Sequence, residues 1–251
     1  MPGVLPVFVD VIPSPKDLTP QKIYGKTVIV LDIFRCTSTI ITALANGAAE
    51  VVPAFTPQEA LSILARKDDR STVSAGEFLG IKIEKFDLGN SPLEFTEENI
   101  GGKTVILATT NGTRAIRSCK PAKNIFIGSF LNLNSVCSRA LGYHRDTVLV
   151  CAGTRGNIAL EDIMCAGCYV GELVKAEPDM KLSELARTFF YLYEYFKDNL
   201  YQMLRTCRSG IRLQKLGYQK DIDFCLQKNR YKIVPIYRHN TIKLSPSLQL
   251  T

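Results

Sequence analysis

The chain has 251 residues, of which 46% are hydrophobic and 22% are charged, and its formal net charge at pH 7 is +7. This composition predicts a globular protein that buries a sizeable core, as one large domain or as two small ones. The positive charge is dispersed and forms no long basic tract, which argues against a nucleic-acid partner and suits a small anionic substrate.

No apolar run approaches the roughly 18 residues that a membrane-spanning helix needs. The N-terminal residues lack the basic start and the long apolar core of a signal peptide. Without a secretion signal, the eight cysteines are expected to be reduced thiols in the core. Cys165 and Cys168 form an isolated C-x-x-C pair on a predicted helix, which we interpret as small packing residues. We therefore predict a cytoplasmic protein with no membrane partner.

The first part of the chain predicts alternating strands and helices. Apolar runs bounded by proline, glycine or polar residues predict strands at 4–12, 27–33, 50–55 and 71–75. Helical patterns with end signals lie between them, at 37–45 and 56–66. The polar, glycine-containing stretch 79–102 follows, and irregular chain of that length in a compact domain is usually functional.

The alternation resumes after residue 103. Strands are predicted at 104–108, 124–127, 147–151, 233–237 and 241–244, and helices at 113–118, 134–141, 160–175 and 201–216. Strands separated by helices of these lengths imply β-α-β units and a largely parallel sheet. We therefore predict an α/β fold of two lobes with helix-flanked sheets, residues 1–125 and 126–251, the second helix-rich after residue 182. Aromatic residues that crowd one helix at 189–201 indicate core or subunit packing, and subunit packing would form a homo-oligomer.

Three of the predicted strands open with Thr-Val and end in a small, hydroxyl-rich turn that carries an arginine and leads into a helix. Free backbone N–H groups and the positive end of the helix dipole bind anions at such turns, and hydroxyl, amide and guanidinium groups add donors. In a single turn these residues would be read as helix caps and a surface charge. Three similar turns favour an anion site, whose candidate residues are Arg35, Thr37 and Ser38, then Thr110, Asn111, Gly112, Thr113 and Arg114, and finally Arg155 and Gly156.

Acidic residues lie at or beyond the ends of several predicted strands, where open α/β sheets gather their ligands. Mg²⁺ takes one or two carboxylates together with waters and phosphate oxygens. The acidic residues therefore suggest metal-assisted phosphoryl chemistry, and the candidate ligands are Asp32, Glu77, Glu161 and Asp162. Two other readings stay open: Asp32 as a cap of its turn, and the adjacent Glu161 and Asp162 as helix-start acids favoured by the dipole.

Familiar phosphate-handling motifs are absent from the sequence. It contains no P-loop motif and no cysteine followed six residues later by arginine in a suitable loop. Asp32 begins an Asp-x-Asp pattern like that of aspartyl-phosphate phosphatases, but Phe34 replaces the second aspartate. The two histidines, His144 and His239, lie in polar, loop-like contexts, which disfavours a histidine nucleophile.

Several segments resemble, in order, the signature segments of the 2-phosphosulfolactate phosphatase family. They are residues 31–40, 87–92, 109–115, 128–132 and 160–162. The resemblance continues through 216–218 and 221–222 to 234–235, so that it covers nearly the whole chain. Five separate segments are far more specific than one short motif.

The resemblance implies a Mg²⁺-dependent phosphatase that converts 2-phospho-3-sulfolactate to 3-sulfolactate and phosphate, a step of coenzyme M biosynthesis. This substrate carries a phosphate ester, a carboxylate and a sulfonate, which the three turns would share. We expect Arg155 to neutralise the carboxylate or sulfonate, and the other turn residues to hold the remaining anionic groups. Asp32, Arg35 and Asp162 are the expected catalytic residues, and Arg35→Ala is expected to lower activity by orders of magnitude while leaving the fold intact.

One segment departs from the family pattern. Cys207-Arg208-Ser209-Gly210 stands where a Ser-x-His-Gly-like segment is common, so the general acid is unassigned and falls to water or to another carboxyl group. Fold and signature do not fix the substrate, and another small phosphorylated hydroxy acid stays open. Two further alternatives are a non-catalytic anion-binding module and an enzyme in which Asp32 is the nucleophile of an aspartyl phosphate.

Overall fold

The computed structural model describes residues 7–66 and 71–245. The strands are β1 Phe8–Ile12, β2 Thr27–Leu31, β3 Glu50–Ala54, β4 Thr72–Phe78, β5 Ile81–Lys82, β6 Thr104–Ala108, β7 Asn124–Gly128, β8 Thr147–Cys151, β9 Lys181–Leu182, β10 Pro235–Arg238 and β11 Thr241–Leu244. The helices are α1 Pro20–Ile23, α2 Cys36–Ala45, α3 Pro57–Leu64, α4 Glu97–Ile100, α5 Gly112–Ser118, α6 Leu133–Leu141, α7 Leu160–Ala176, α8 Glu184–Phe196, α9 Leu200–Arg205, α10 Arg208–Lys215 and α11 Gln219–Cys225. The beginning of the strand predicted at 4–12 lies outside the described residues.

These strands form one mixed sheet in the order β5-β4-β6-β3-β11-β10-β7-β2-β8-β1-β9. The β2 strand pairs in parallel with β7 and β8, and β6 pairs in parallel with β3 and β4. The antiparallel β10–β11 hairpin lies between these two parallel groups, bridging β7 and β3. The predicted α/β class is confirmed.

Strands from both predicted lobes take part in this sheet. The β2 strand from the first half is hydrogen-bonded to β8 of the second half and to β7, which crosses the predicted boundary, and β11 pairs with β3. The division into residues 1–125 and 126–251 therefore stays a prediction about domains, whereas the sheet itself is shared.

The core covers both faces of the sheet. Along β2, Val28 and Val30 pack on one side with α2 and α5, while Ile29 and Leu31 pack on the other with α6 and α7. This strand is buried on both faces, as expected for the centre of a parallel sheet. The loops that leave the carboxyl ends of such strands are thereby held on a rigid base.

The prediction of one continuous helix at 201–216 is wrong, because the chain forms α9 and α10 with a break between them. The Cys207 thiol caps α10 by accepting a hydrogen bond from the Gly210 backbone N–H, at 3.3 Å. A Cβ atom on Gly210 would lie 2.1 Å from the Leu204 carbonyl oxygen. The break thus depends on the close approach of the Gly210 backbone to the Leu204 carbonyl group, which the spacing of apolar residues in the sequence does not predict.

The eight cysteines are unpaired and buried, as the sequence predicted. No helix in the described part of the chain has the length and apolar character that a bilayer crossing requires.

Candidate active site

A cleft opens where the loops after β2, β4, β6 and β8 meet the stretch 79–102 and helix α10. Several predicted site residues line it, namely Asp32, Arg35, Glu77, Thr110, Asn111 and Arg155. Other residues of its wall were not predicted as site residues from the sequence, among them Phe34, Asn90, Ser209 and Arg212. Asn90 and Ser209 lie in segments that the family resemblance had drawn attention to.

The first turn is closed by its own polar groups. The Thr37 backbone N–H and hydroxyl donate to the Asp32 carbonyl oxygen at 3.0 and 2.9 Å, and the Asp32 N–H donates back to the Thr37 hydroxyl at 3.0 Å. The Ser38 hydroxyl donates to the Ile33 carbonyl oxygen at 3.1 Å. Both hydroxyls are fully buried. The structure thus gives Thr37 and Ser38 a different role from the predicted anion contact: they shape the turn that presents Asp32.

Asp32 is buried at the end of β2, and its Oδ1 accepts a hydrogen bond from the Cys36 N–H at 3.3 Å. Burial, with the charges of Glu77 and Glu161, raises its pKa to about 7, against the opposing effects of the Cys36 N–H and the Arg35 charge. A carboxyl group that titrates near neutral pH suits proton transfer. A Cβ atom on Gly112 would lie 2.5 Å from Asp32 Oδ2, so glycine is needed for α5 to approach this carboxylate.

Glu77 joins the loop after β4 to the second turn. Its Oε1 accepts the Thr110 N–H at 2.7 Å, and its Oε2 accepts the Thr110 hydroxyl at 3.1 Å and the Gly80 N–H. The Leu79 N–H donates to the Thr110 hydroxyl at 3.1 Å. Glu77 therefore organises the wall of the cleft as well as contributing charge to it.

The other residues of the second turn face three directions. Asn111 Oδ1 accepts the Arg155 backbone N–H at 3.0 Å and so connects the second turn to the third. Thr113 is buried, and its hydroxyl is paired with the backbone of Thr109. Arg114 is directed away from the cleft, with its Nε donating to the Phe55 carbonyl oxygen at 3.3 Å.

A neighbouring cleft of about 610 Å³ lies on the other side of Asn111. Arg114 and Gly156 line this second cleft and are not part of the first, whereas Arg155 lines both. Arg155 is exposed and has a left-handed backbone conformation, with φ of 52°. The three predicted anion turns are therefore adjacent, but their arginines are divided between two clefts.

Arg35 is held by an ion pair that the sequence did not reveal. Its Nη1 lies 2.6 Å from Asp221 Oδ2, with both side chains almost fully buried. Its guanidinium also donates to the Gly80 carbonyl oxygen at 3.2 Å and stacks 4.1 Å from the centre of the Tyr218 ring. The Ser91 hydroxyl donates to the other Asp221 oxygen at 2.7 Å. Asp221 thereby fixes Arg35 in the wall of the cleft.

Glu161 and Asp162 lie behind the cleft wall, at the buried start of α7. Asp162 accepts the Ile33 N–H at 2.9 Å and the Gly153 N–H at 3.0 Å, which ties the end of β2 to the end of β8. Burial and the neighbouring carboxylates of Asp32 and Glu161 raise the pKa of Asp162. Burial also raises the pKa of Glu161, a shift that the nearby Ser209 and Cys207 side chains oppose.

The four candidate metal ligands do not form one coordination set. Across residues 7–66 and 71–245, no group of three or more His, Cys, Asp or Glu side chains is arranged to hold a metal ion. Asp162 already accepts two backbone N–H bonds and Glu77 three hydrogen bonds. Asp32 and Glu77 do line the cleft, and Mg²⁺ needs only one or two carboxylates when waters and phosphate oxygens complete its shell. The residues therefore fit magnesium held by one or two carboxylates and do not fit a four-carboxylate cluster.

Comparison with known proteins identifies the protein family to which the chain belongs. A sequence profile described as 2-phosphosulpholactate phosphatase matches residues 12–240. The chain belongs to the 2-phosphosulfolactate phosphatase family. Members of this family are phosphatases, that is, phosphoric monoester hydrolases, so the predicted family and enzyme class are confirmed.

Individual relatives in the 2-phosphosulfolactate phosphatase family match over almost their whole length. A protein of Clostridium beijerinckii is 36% identical over 234 residues, covering 93% of this chain and 98% of the relative. One from Caldanaerobacter subterraneus is 37% identical over 239 residues, covering 95% and 99%. One from Clostridium novyi is 38% identical over 235 residues, covering 93% and 98%. All three are described as "Probable 2-phosphosulfolactate phosphatase".

The segments that resembled the 2-phosphosulfolactate phosphatase family have different places in the structure. Residues of 31–40, 87–92 and 109–115 line the cleft. Segment 160–162 lies behind its wall. Segment 128–132 forms a capped turn in which Asn132 bonds the Ser129 N–H and the Ile127 carbonyl oxygen, so its role is to build the fold.

Proposed function

We propose that this protein hydrolyses the phosphate ester of 2-phospho-3-sulfolactate, releasing 3-sulfolactate and phosphate. The observation that carries the proposal is the lining of the cleft: Arg35, Arg155 and Arg212 line the same cleft as Asp32, a carboxyl group whose pKa lies near neutrality. Three guanidinium groups suit a substrate with three anionic groups, because each is a fixed positive charge with several donors.

Arg35 is the residue that we assign to the phosphoryl group. Its position is fixed by Asp221 and by the Tyr218 ring, and a pre-positioned guanidinium stabilises the charge of a transferring phosphoryl group without reorganising. Arg155 lies at the open side between the two clefts, where it would neutralise the carboxylate or sulfonate. Thr110 and Asn111 line both clefts together with Arg155.

Asp32 is the residue that we assign to the attacking water, as the base that takes its proton. Near pH 7 about half of these carboxyl groups are ionised, since the pKa of Asp32 is raised to about 7. Protonation of the leaving alkoxide falls to water or to a carboxyl group. Ser209 lines the cleft and lies near Glu161, whose pKa is raised by burial, and this pair is the candidate proton donor in place of the absent histidine.

We further propose that the reaction uses Mg²⁺, held by Glu77, so that Asp32 stays free to accept the proton of the attacking water. When bound, the ion would neutralise phosphate oxygens and supply Lewis-acid catalysis. The support is the like charge around Asp32: Glu77 in the cleft and Glu161 behind its wall both raise the pKa of Asp32, and a cation would offset their repulsion. Asp162 would act by tying the β2 and β8 loops together instead of by binding metal.

The remaining parts of this proposal concern the pathway, the location and the assembly of the protein. Activity on 2-phospho-3-sulfolactate would place the enzyme in coenzyme M biosynthesis, in the cytoplasm. A homo-oligomer is supported by α8, on which Tyr191 and Tyr195 are 61% and 82% exposed while Phe189 and Tyr193 are buried. Exposed aromatic rings of this size are typical of subunit contacts.

Phosphate release from a panel of phosphorylated hydroxy acids tests the proposal. The panel contains 2-phospho-3-sulfolactate, 2-phospholactate and 2-phosphoglycerate, each with Mg²⁺ and with a chelator. We expect the sulfonate-bearing ester to have the highest kcat/KM and the chelator to abolish turnover. A higher kcat/KM for a substrate without sulfonate would reassign the substrate, and unchanged turnover in chelator would remove magnesium from the proposal.

A further inference from the structure

Asn90 is a cleft residue whose position is fixed from several sides. It lies in the stretch 79–102, and its carbonyl oxygen accepts the Thr39 hydroxyl at 2.8 Å. The next residue, Ser91, donates to Asp221 at 2.7 Å. The preceding Gly89 N–H donates to Glu94 at 2.7 Å. These bonds fix the backbone from which the Asn90 side chain extends, as the support of a catalytic group requires.

The side-chain oxygen of Asn90 is buried without a partner. Asn90 is only 4% exposed, and its Oδ1 hydrogen-bonds no described group. The buried Asn132, by contrast, uses both ends of its amide, at 3.1 Å to Ser129 and 3.1 Å to Ile127. A buried carbonyl oxygen without a donor costs free energy, and in native structures such an atom calls for an explanation.

The chemistry of the proposed reaction supplies the missing donor. A fully ionised phosphate ester that also carries a carboxylate and a sulfonate offers acceptor oxygens only, so it cannot satisfy Asn90 Oδ1. The water that is consumed in hydrolysis has two hydrogens. One hydrogen can be directed to Asp32, which lines the same cleft, and the other to a second acceptor. A side-chain amide that orients the attacking water is an established solution in phosphoryl transfer.

We propose that Asn90 is a catalytic residue whose Oδ1 accepts a hydrogen bond from the attacking water. The inference rests on the proposed function. The water oxygen forms the new bond to phosphorus as the ester P–O bond breaks. The proton directed to Asp32 balances the proton that the leaving alkoxide acquires, and the hydrogen that contacts Asn90 stays on the phosphate released.

Asn90→Leu in the full chain tests this role, because leucine has a similar size and no acceptor. The matched control is Asn46→Leu: the Asn46 amide donates to the Phe95 carbonyl oxygen at 2.7 Å and lies outside the cleft. Three quantities are measured: kcat and KM for 2-phospho-3-sulfolactate, the melting temperature, and the rise in melting temperature that inorganic phosphate produces.

For Asn90→Leu we expect kcat to fall about 100-fold, since loss of orientation acts on the chemical step. KM and the phosphate-induced rise should change less than about twofold, because Asn90 does not hold the anion. The melting temperature should not fall, since Asn90 Oδ1 gives up no hydrogen bond to any residue that the structure describes. Asn46→Leu should show the opposite pattern, a lower melting temperature with little change in kcat.

Two outcomes for Asn90→Leu would overturn the inference while leaving the proposed function standing. One is a kcat near the wild-type value. The other is a raised KM together with loss of the phosphate effect, which would make Asn90 a substrate contact. A wild-type protein that releases no phosphate from any substrate of the panel would instead refute the proposed function, and this inference with it.

Discussion

Replacing Asp32 by asparagine should increase the stability of the protein above neutral pH while it removes activity. The carboxyl group has an ordinary pKa of 3.8, which the fold raises to about 7. An acid with a raised folded-state pKa is ionised in the unfolded chain before it is ionised in the fold. Stability is therefore lost as the pH rises from about 4 to 7, and the full cost is present at higher pH. Asparagine carries no charge and does not have this cost.

The size of the effect follows from the same two pKa values. They differ by roughly 3 pH units, and each unit corresponds to 1.36 kcal/mol, so the cost approaches about 4 kcal/mol at pH 8. At pH 5 it is about 2 kcal/mol, because only the unfolded carboxyl is then ionised. Between pH 5 and pH 8, the variant should gain about 2–3 kcal/mol of unfolding free energy relative to the wild type. The variant also removes the repulsion between the Asp32 charge and Asp162, which further increases its unfolding free energy at high pH.

Urea denaturation of both proteins at pH 5 and pH 8, in chelator, measures this difference. All other titrating groups are common to the two proteins, so the comparison isolates Asp32 and the carboxyl groups coupled to it. A stability difference that stays constant between the two pH values would refute the reasoning. So would a variant that becomes less stable than the wild type as the pH rises.

Three further substitutions probe other parts of the site. Arg35→Ala should lower the unfolding free energy by about 3–5 kcal/mol, because Asp221 is left as an unpaired buried charge. Urea denaturation measures this loss, and the double variant Arg35→Ala with Asp221→Ala should recover part of it. Arg155→Gln should raise KM about tenfold or more in steady-state assays, since one charge contact of about 1.4 kcal/mol is lost. Arg114→Gln should leave KM unchanged, because Arg114 lines only the neighbouring cleft. Gly112→Ala should lower kcat about tenfold or more, as the new methyl group displaces the carboxylate at the end of β2; wild-type turnover in this variant would contradict the close approach.

The first of these predictions corrects the sequence-based expectation that Arg35→Ala would leave the fold intact. An arginine at the start of a helix gives no local sign that it will be buried. Its partner Asp221 is 186 residues away in the chain, and only the tertiary fold brings the two together. The same holds for Asn90, whose missing partner becomes apparent only when its burial is known.

Local patterns were sufficient where local chemistry decides the structure. The strands Thr104–Ala108 and Thr147–Cys151 have the predicted bounds, because each is a short apolar run that ends in a polar turn. The turns after β2 and β6 were recognised for the same reason. Whether their hydroxyls face the cleft or the backbone was not predictable, since Thr37 and Ser38 can satisfy either an anion or their own turn.

The number of metal-ligating carboxylates also lay beyond the sequence. Acidic residues near strand ends indicate where charge gathers, but not which oxygens remain free. Backbone N–H groups take both oxygens of Asp162, and this depends on how the β2 and β8 loops meet. The site that results has Asp32 as its central carboxylate.

The most direct test of this account is the rate of phosphate release from 2-phospho-3-sulfolactate by Asp32→Asn and by Asp223→Asn. The two variants carry the same chemical change, but Asp223 lies outside the cleft, where it accepts a hydrogen bond from the Tyr201 hydroxyl at 2.5 Å. We predict that Asp32→Asn loses about 100-fold or more in kcat while Asp223→Asn keeps the wild-type rate. Equal rates in both variants would contradict the claim that hydrolysis takes place at Asp32.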